Sequence, residues 1–314
     1  MTTPEEAIAA IHERFGTHPR ARRLHAKGTL LKGTFTPTPA AARLSKAAHL
    51  QGGPVPLTAR VSNGSGNPED PDYAPDVRGF AVKLYVPDGS HTDIVAQTVH
   101  RFVGPDAATF NDLMRASKPP AAAWKLPLFL AQHPRVALDL PRAAAAMVPP
   151  QSYATRRYYA LHAYRWRDAD DSVRHVRYEF EPVAGVKTLS PLAARKRGPH
   201  YLQEEILARV ADEPVRFRLD VVVAEPGDPV DDPSQVWPAE RERVDAGTIV
   251  LTGPDTERET GDDVLVFDPT RVVDGIELSD DPILHARARA YSVSAYRRLG
   301  VEVEHPSHPP DGVG

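Results

Sequence analysis

Proline restricts this chain more than any other residue. It occurs 32 times in 314 residues, about twice its usual share of ~5%. Each proline fixes φ and removes a backbone donor, which works against long uninterrupted helices. Spread along a globular chain, prolines point to many loops and fixed turns rather than a helical bundle. Cysteine is absent. That rules out disulfides, cysteine-ligated zinc, iron–sulfur clusters, a thiolate haem ligand and a cysteine nucleophile. The length allows one large domain or two modest ones, and a single domain of this size buries roughly three quarters of its unfolded surface. Lys+Arg is 38 against Asp+Glu 42, for a net charge of −4, which lacks the basic excess of a nucleic-acid-binding protein. No apolar run approaches the ~18 residues of a membrane span. The N-terminus, MTTPEEAIAAIHERFG, has acids where a signal peptide has bases. The expected location is the cytoplasm, with neither nucleic acid nor membrane as a partner.

Periodicity and turn residues divide the chain further. Helical signals cover residues 4–15 and 40–50. Val, Phe, Tyr and Ile with partial alternation then mark strands over 54–63, 78–86 and 92–103, with Pro87, Asp88 and Gly89 turning a hairpin. Residues 106–148 are Ala/Leu-rich and helical, broken at Pro119, Pro127 and Pro134. Strand texture returns over 153–167 and 174–182, a helix over 201–211, and strands over 215–223, 248–252 and 264–267. The last helix covers 283–299. Strict strand–helix alternation is missing, so the pattern predicts an α+β fold, an antiparallel barrel or sandwich with packed helices. No linker divides the chain, so one domain is expected over 1–314. Residues 225–238 read as a surface loop and 301–314 as a fraying tail.

Three clusters could carry chemistry. In RRLHAKG, His25 sits among Arg20, Arg22, Arg23 and Lys27. Neighbouring cations favour the neutral imidazole, a proton acceptor; a surface basic cluster with a bystander histidine reads the same way locally. In ARVSNGSG, Arg60 and Ser62 alternate and so share one strand face. That face is either exposed, or interior with an anionic partner for Arg60. In RARAY, Arg287 and Tyr291 are four apart on one helix face. A guanidinium there favours the phenolate, a hard ligand for ferric iron, or simply packs on the ring.

The three clusters occur in an order that resembles the haem catalase family. RRLHAKG is similar to the segment around the family's distal histidine. TARVSNGSGNPEDPDYAPDVRGFAVKLY is similar to its strand, loop and strand, with RGFAVK at its core. TDIVAQTVHRFVGPDAATF and VFDPTRVVDGIELSDDPILHARARAYSVSAYRRLG follow, the second with the R-x-x-x-Y of the proximal side. The resemblance covers about residues 15–300.

The resemblance implies an antiparallel β-barrel core with packed helices and a haem b cofactor. It implies His25 as the distal acid–base group, Ser62 as the residue orienting it, and Gln97 at the position of the distal amide. Tyr291 would be the iron ligand, as tyrosine is in catalases, with Arg287 holding it as phenolate. Arg22, Arg60 and Arg298 would bind the propionates, and Phe110 would pack on the porphyrin. Three positions depart from the family pattern: Gln97 replaces Asn, Ser292 replaces the Pro after the tyrosine, and Ala295 replaces a His. The chain is also shorter than typical catalases, as in the small catalase-related peroxidases. The implied activity is reduction of hydrogen peroxide or organic hydroperoxides by a small organic reductant, through a ferryl intermediate. Dismutation of hydrogen peroxide, allene-oxide-synthase-like rearrangement and non-enzymatic haem binding are the alternatives. A homodimer is expected.

Overall fold

The computed structural model describes residues 4–18, 21–256, 265–288 and 291. Four strands form an antiparallel meander: β1 (Gly28–Pro37), β2 (Val55–Asn63), β3 (Arg78–Tyr85) and β4 (His91–Gln97). β4 pairs with the two-residue β5 (Tyr158–Tyr159), and β5 pairs with β7 (Val173–Pro182). From β7 the ladder runs through β8 (Val215–Val223) and β9 (Arg243–Pro254) back to β1, closing an eight-membered antiparallel ring. Closure removes the exposed edges an open sheet would present. β6 (Tyr164–Arg167) and β10 (Ile276–Leu278) extend the sheet from β7.

Alternation along the strands sorts residues to the two faces. Leu31, Ala59, Val61, Phe80 and Val82 point into the barrel and belong to its main core. Phe80 is the hub, with ring centroids 5.3 Å from Tyr158, 4.9 Å from Phe180 and 4.8 Å from Phe217. The outward face of β1–β4 is covered too. Leu265 and Phe267 pack with Leu30 on that face. Beside them, Lys83 Nζ donates to Asp93 Oδ1 at 2.9 Å, and the Asp268 amide donates to Asp93 Oδ2 at 2.7 Å. Burial pushes the Asp93 carboxyl above the usual carboxylate range, against the pull of Lys83 and Arg271. Lys83→Ala would leave that buried carboxylate with Arg271 at 3.4 Å as its remaining cation, so a loss of about 3 kcal/mol is expected in urea unfolding at neutral pH; Lys83→Arg should lose much less.

The helices are α1 (Pro4–Phe15), α2 (Pro39–Leu44), α3 (Ala107–Ala116), α4 (Ala122–Gln132), α5 (Pro134–Ala146), α6 (Pro191–Lys196) and α7 (Tyr201–Asp212). Residues 282–288 are helical as well, started by the Asp281 carboxylate, which accepts from the Ile283 and Leu284 amides.

Several sequence expectations change. The helix over 40–50 ends at Leu44 and resumes as a 3₁₀ turn at Ala48–Leu50. There the Ser45 hydroxyl bonds the Gly275 carbonyl and the Ala47 amide, diverting the chain. The strand over 92–103 stops at Gln97. Pro127 lies inside α4 on its exposed side, as does Ala123 one turn before it. The strand over 153–167 divides into a 3₁₀ turn (Tyr153–Thr155), β5 and β6. Residues 265–267 join no ladder; they are apolar because they cover the barrel's outer face. β1, β10 and α6 were not anticipated. Residue 264, residues 289–290 and 292–299 of the expected last helix, and the tail 301–314 lie outside the described residues.

Candidate active site

Register aligns one row of residues across five strands. Gly28 stands opposite Ser62, Ser62 opposite Gly79, Gly79 opposite Gln97, and Gln97 opposite Tyr159. Opposed residues of antiparallel strands project from the same face. Two positions along, Leu30, Arg60, Ala81 and Val95 form the parallel row. Arg60 and Ser62 therefore do share a face. It is the outer face of the barrel, yet both residues are buried under the segments that cover it.

His25 stands at the head of β1 with φ +56°. That left-handed conformation costs a non-glycine residue about 1–3 kcal/mol and persists only when neighbours enforce it. Here they do. The His25 amide donates to the Gly64 carbonyl at 3.1 Å and the Ala26 amide to the Ser65 carbonyl at 3.0 Å. Arg60 Nη1 donates to the His25 carbonyl at 2.8 Å, and its Nη2 to the Ala26 carbonyl at 3.3 Å. The ring's Nδ1 lies 3.0 Å from Ser62 Oγ, which leaves Nε2 as the nitrogen available for proton transfer.

The imidazole is held neutral. Burial, then the charges of Arg60, Arg287 and Arg22, bring its pKa from 6.5 down to about 3, while a backbone hydrogen bond at Asn63 works the other way. Arg287 is a neighbour of Tyr291, so the histidine and the tyrosine ends belong to one electrostatic site. Two buried histidines, His49 and His162, are lowered to about 4, in both cases chiefly by burial. All three bind protons more readily when unfolded. The folded state is therefore unpenalised above pH 6.5 and loses stability as pH falls from there towards about 4. Urea midpoints should be flat between pH 7 and 8 and drop progressively across that acid window.

Gly79 gives the ring its room. A Cβ there would meet His25 Nδ1 at 2.6 Å and Ser62 Oγ at 2.7 Å, closer than real side-chain carbons approach. Gly79→Ala is expected to retain the fold and bound cofactor while cutting peroxide turnover at least tenfold, because the ring must swing from its place. Steady-state kinetics normalised to haem content checks this.

On the other side, Arg287 Nη2 donates to the Tyr291 hydroxyl oxygen at 2.6 Å, the contact their spacing predicted. Arg287 Nη1 lies 2.9 Å from His162 Nε2, and His162 Nδ1 lies 2.6 Å from Asp281 Oδ2. Arginine can only donate, so His162 Nε2 accepts and the ring carries its proton on Nδ1, towards Asp281. Burial, the largest influence, opposes the Arg287 charge, but Tyr291, Tyr164 and Asp268 together raise the arginine's pKa. Sequence reasoning left His162, Asp281 and Gly79 without roles. The one signal near His162 is HAYRW, weakly similar to the catalase family without a role attached; the link to Asp281 spans 119 positions.

The remaining candidates are placed as follows. Arg22 Nη2 donates to the Leu265 carbonyl at 2.7 Å, joining the His25 segment to the covering chain. Gln97 is half-buried opposite Gly79. Phe110 is on α3, stacked on Phe102 at 5.6 Å. Arg298, Ser292 and Ala295 lie outside the described residues. The donor set suits a haem. Arg287 holds a hard phenolic oxygen, Arg22 and Arg60 can pair with carboxylates, and Leu30, Ala81, Val95, Leu265 and Phe267 supply an apolar surface beside them.

Comparison with known proteins gives the same answer. The family model described as Catalase matches residues 11–307. A catalase-related peroxidase from Mycolicibacterium paratuberculosis (strain ATCC BAA-968 / K-10) is 49% identical over 301 residues, covering 96% of each chain. A catalase-related peroxidase from Synechococcus elongatus is 29% identical over 94% of this chain and 88% of its own. Catalase-2 of Bacillus subtilis is 27% identical, over 89% of this chain but 44% of that protein. The crystal structure of a fungal catalase superposes with a TM-score of 0.80 at 24% identity, covering 89% of this chain and 60% of that one. With the barrel, the strained histidine and the arginine-held tyrosine in place, the chain belongs to the catalase family.

Proposed function

We propose that this protein is a peroxidase with haem b that reduces hydrogen peroxide or organic hydroperoxides using a small organic electron donor. The observation that carries the reading is His25, half-buried, fixed by Ser62 and held neutral. Its charged neighbours include the arginine that holds Tyr291, so a proton acceptor and an oxygen ligand share one site. The two relatives named catalase-related peroxidases match this chain over nearly its whole length; the longer catalases match it more distantly.

Tyr291 would hold the iron, with Arg287 fixing its oxygen, and Arg22, Arg60 and Arg298 would hold the propionates. Phe110 would pack on the macrocycle. The haem, when bound, supplies the redox chemistry that breaks the peroxide O–O bond. The protein's own work is with protons. His25 Nε2 takes the proton from the incoming peroxide and returns it to the departing oxygen, as a positioned general acid–base group. Burial and the neighbouring arginines keep the imidazole unprotonated at neutral pH, so its lone pair is free. Ser62 fixes the ring from the Nδ1 side. His162 and Asp281 keep Arg287 aimed at the tyrosine.

Gln97 supplies the same amide as asparagine on a side chain one methylene longer, which shifts the donor that would orient a second peroxide. Reduction by an organic donor is therefore favoured over dismutation. The test compares oxygen evolution from hydrogen peroxide with oxidation of a dye donor in the same preparation. Dye turnover in large excess over oxygen supports a peroxidase. Oxygen in large excess shows a dismutating catalase, and conversion of a fatty-acid hydroperoxide without any donor shows an isomerase.

A further inference from the structure

The α4–α5 hairpin does not behave like the rest of the surface. Among the described residues ten large apolar side chains are exposed, and four of them, Trp124, Leu128, Leu138 and Leu140, fall within these two helices. Phe129 is the one fully buried residue of α4, and α5 buries none. On α4 the exposed positions Trp124, Pro127, Leu128 and Ala131 follow the spacing of one helix face. That face is wholly apolar and turned to water. Trp124 is 61% exposed and Leu138 is 77% exposed, values that core packing does not explain.

The charge around this face is as unusual. Between residues 117 and 147 the chain carries Lys118, Lys125, Arg135 and Arg142 against a single acid, Asp139, although the whole chain has a net charge of −4. Asp139 is already bridged to Arg101 at 2.7 Å and to Arg142 at 3.5 Å. A two-fold interface centred on this patch would set it against its own copy, with Asp139 already engaged and no other acid to meet the cations. An anionic apolar-cored surface is complementary to it instead.

We propose that the α4–α5 hairpin docks on an anionic lipid bilayer, with Trp124 and Leu128 at the headgroup level and the lysines and arginines on lipid phosphates. Tryptophan favours that depth, and basic amphipathic helices bind there through apolar area plus attraction to anionic lipid. No helix among the described residues is long and apolar enough to cross a membrane, so the attachment is interfacial. A sequence search for spanning runs does not detect it.

The test is flotation of the haem-loaded protein with vesicles of mixed phosphatidylglycerol and phosphatidylcholine, and with phosphatidylcholine alone. The wild type is expected to float with the anionic vesicles and much less with the neutral ones. Trp124→Glu with Leu128→Glu should lower the bound fraction more than tenfold at unchanged haem content. Arg135→Glu, an exposed charge on α5 away from the α4 apolar face, should lower binding to anionic vesicles only. Trp166 and Trp237 are buried, so a blue shift of tryptophan emission on adding vesicles reads Trp124. Absence of flotation, or equal flotation of wild type and double variant, overturns the proposal. So does a wild-type dimer that the double variant turns into a monomer without any vesicle binding, which would make a second copy the occupant.

Discussion

His25→Ala is expected to keep its haem and lose about a thousandfold in peroxide turnover, within the 10²–10⁴ range of a positioned general acid–base group. Haem retention follows from the division of labour in the site. The iron would be held by Tyr291 and the carboxylates by arginines, none of which depends on the imidazole for its position. Arg60 bonds the backbone carbonyls of His25 and Ala26 rather than the ring, so alanine leaves that clamp intact. The loss should appear as a slower peroxide-induced change in the Soret band under single-turnover conditions. A wild-type rate in His25→Ala would show that the proton moves through some other group. Ser62→Ala should be milder, because it frees the ring without removing it.

Tyr291→Phe is expected to abolish the Soret band of the purified protein, or to shift it strongly, while leaving the barrel folded. The phenyl ring keeps the packing but deletes the oxygen that Arg287 approaches at 2.6 Å. Arg287 would then be a half-buried guanidinium left with His162 as its acceptor, which costs stability as well as the ligand. Circular dichroism separates the two effects: a folded protein without a Soret band is the result expected. A variant with an unchanged spectrum would remove Tyr291 as the iron ligand.

What could be read from the sequence was local or motif-bound. Arg287 and Tyr291 are four apart on a helix, so their contact follows from helical geometry alone. Arg60 and Ser62 share a face because strands alternate. His25 was picked out by its cationic neighbours, and burial then proved to lower its pKa more than any of those charges did. What escaped is set by distant parts of the chain meeting. β1 was missed because Thr29–Leu31 are buried on both faces, against the barrel core and under Leu265, while Lys32, Thr34 and Thr36 are exposed, so no single alternation runs along it. The 265–267 segment has strand-like composition for the complementary reason: it is a cover, not a strand. Gly79 is one glycine among 20 until register places it against the His25 ring. His162 and Asp281 become a pair only when β6 and β10 bring their segments together.

The α4–α5 surface gives the opposite lesson. Its apolar residues fit a helical pattern that usually marks a core-facing stripe, and only the fold shows that the stripe faces water. Exposure there could not be inferred from periodicity, because a buried and an unburied apolar face have the same spacing.

The most direct measurement is a crystal structure of the haem-loaded protein. Iron bound by the Tyr291 oxygen is the expected result, with the macrocycle against the outer barrel face at Ala81 and Val95 and His25 Nε2 across it. Iron bound by a histidine, or a haem seated on any other face of the barrel, would contradict the assignment.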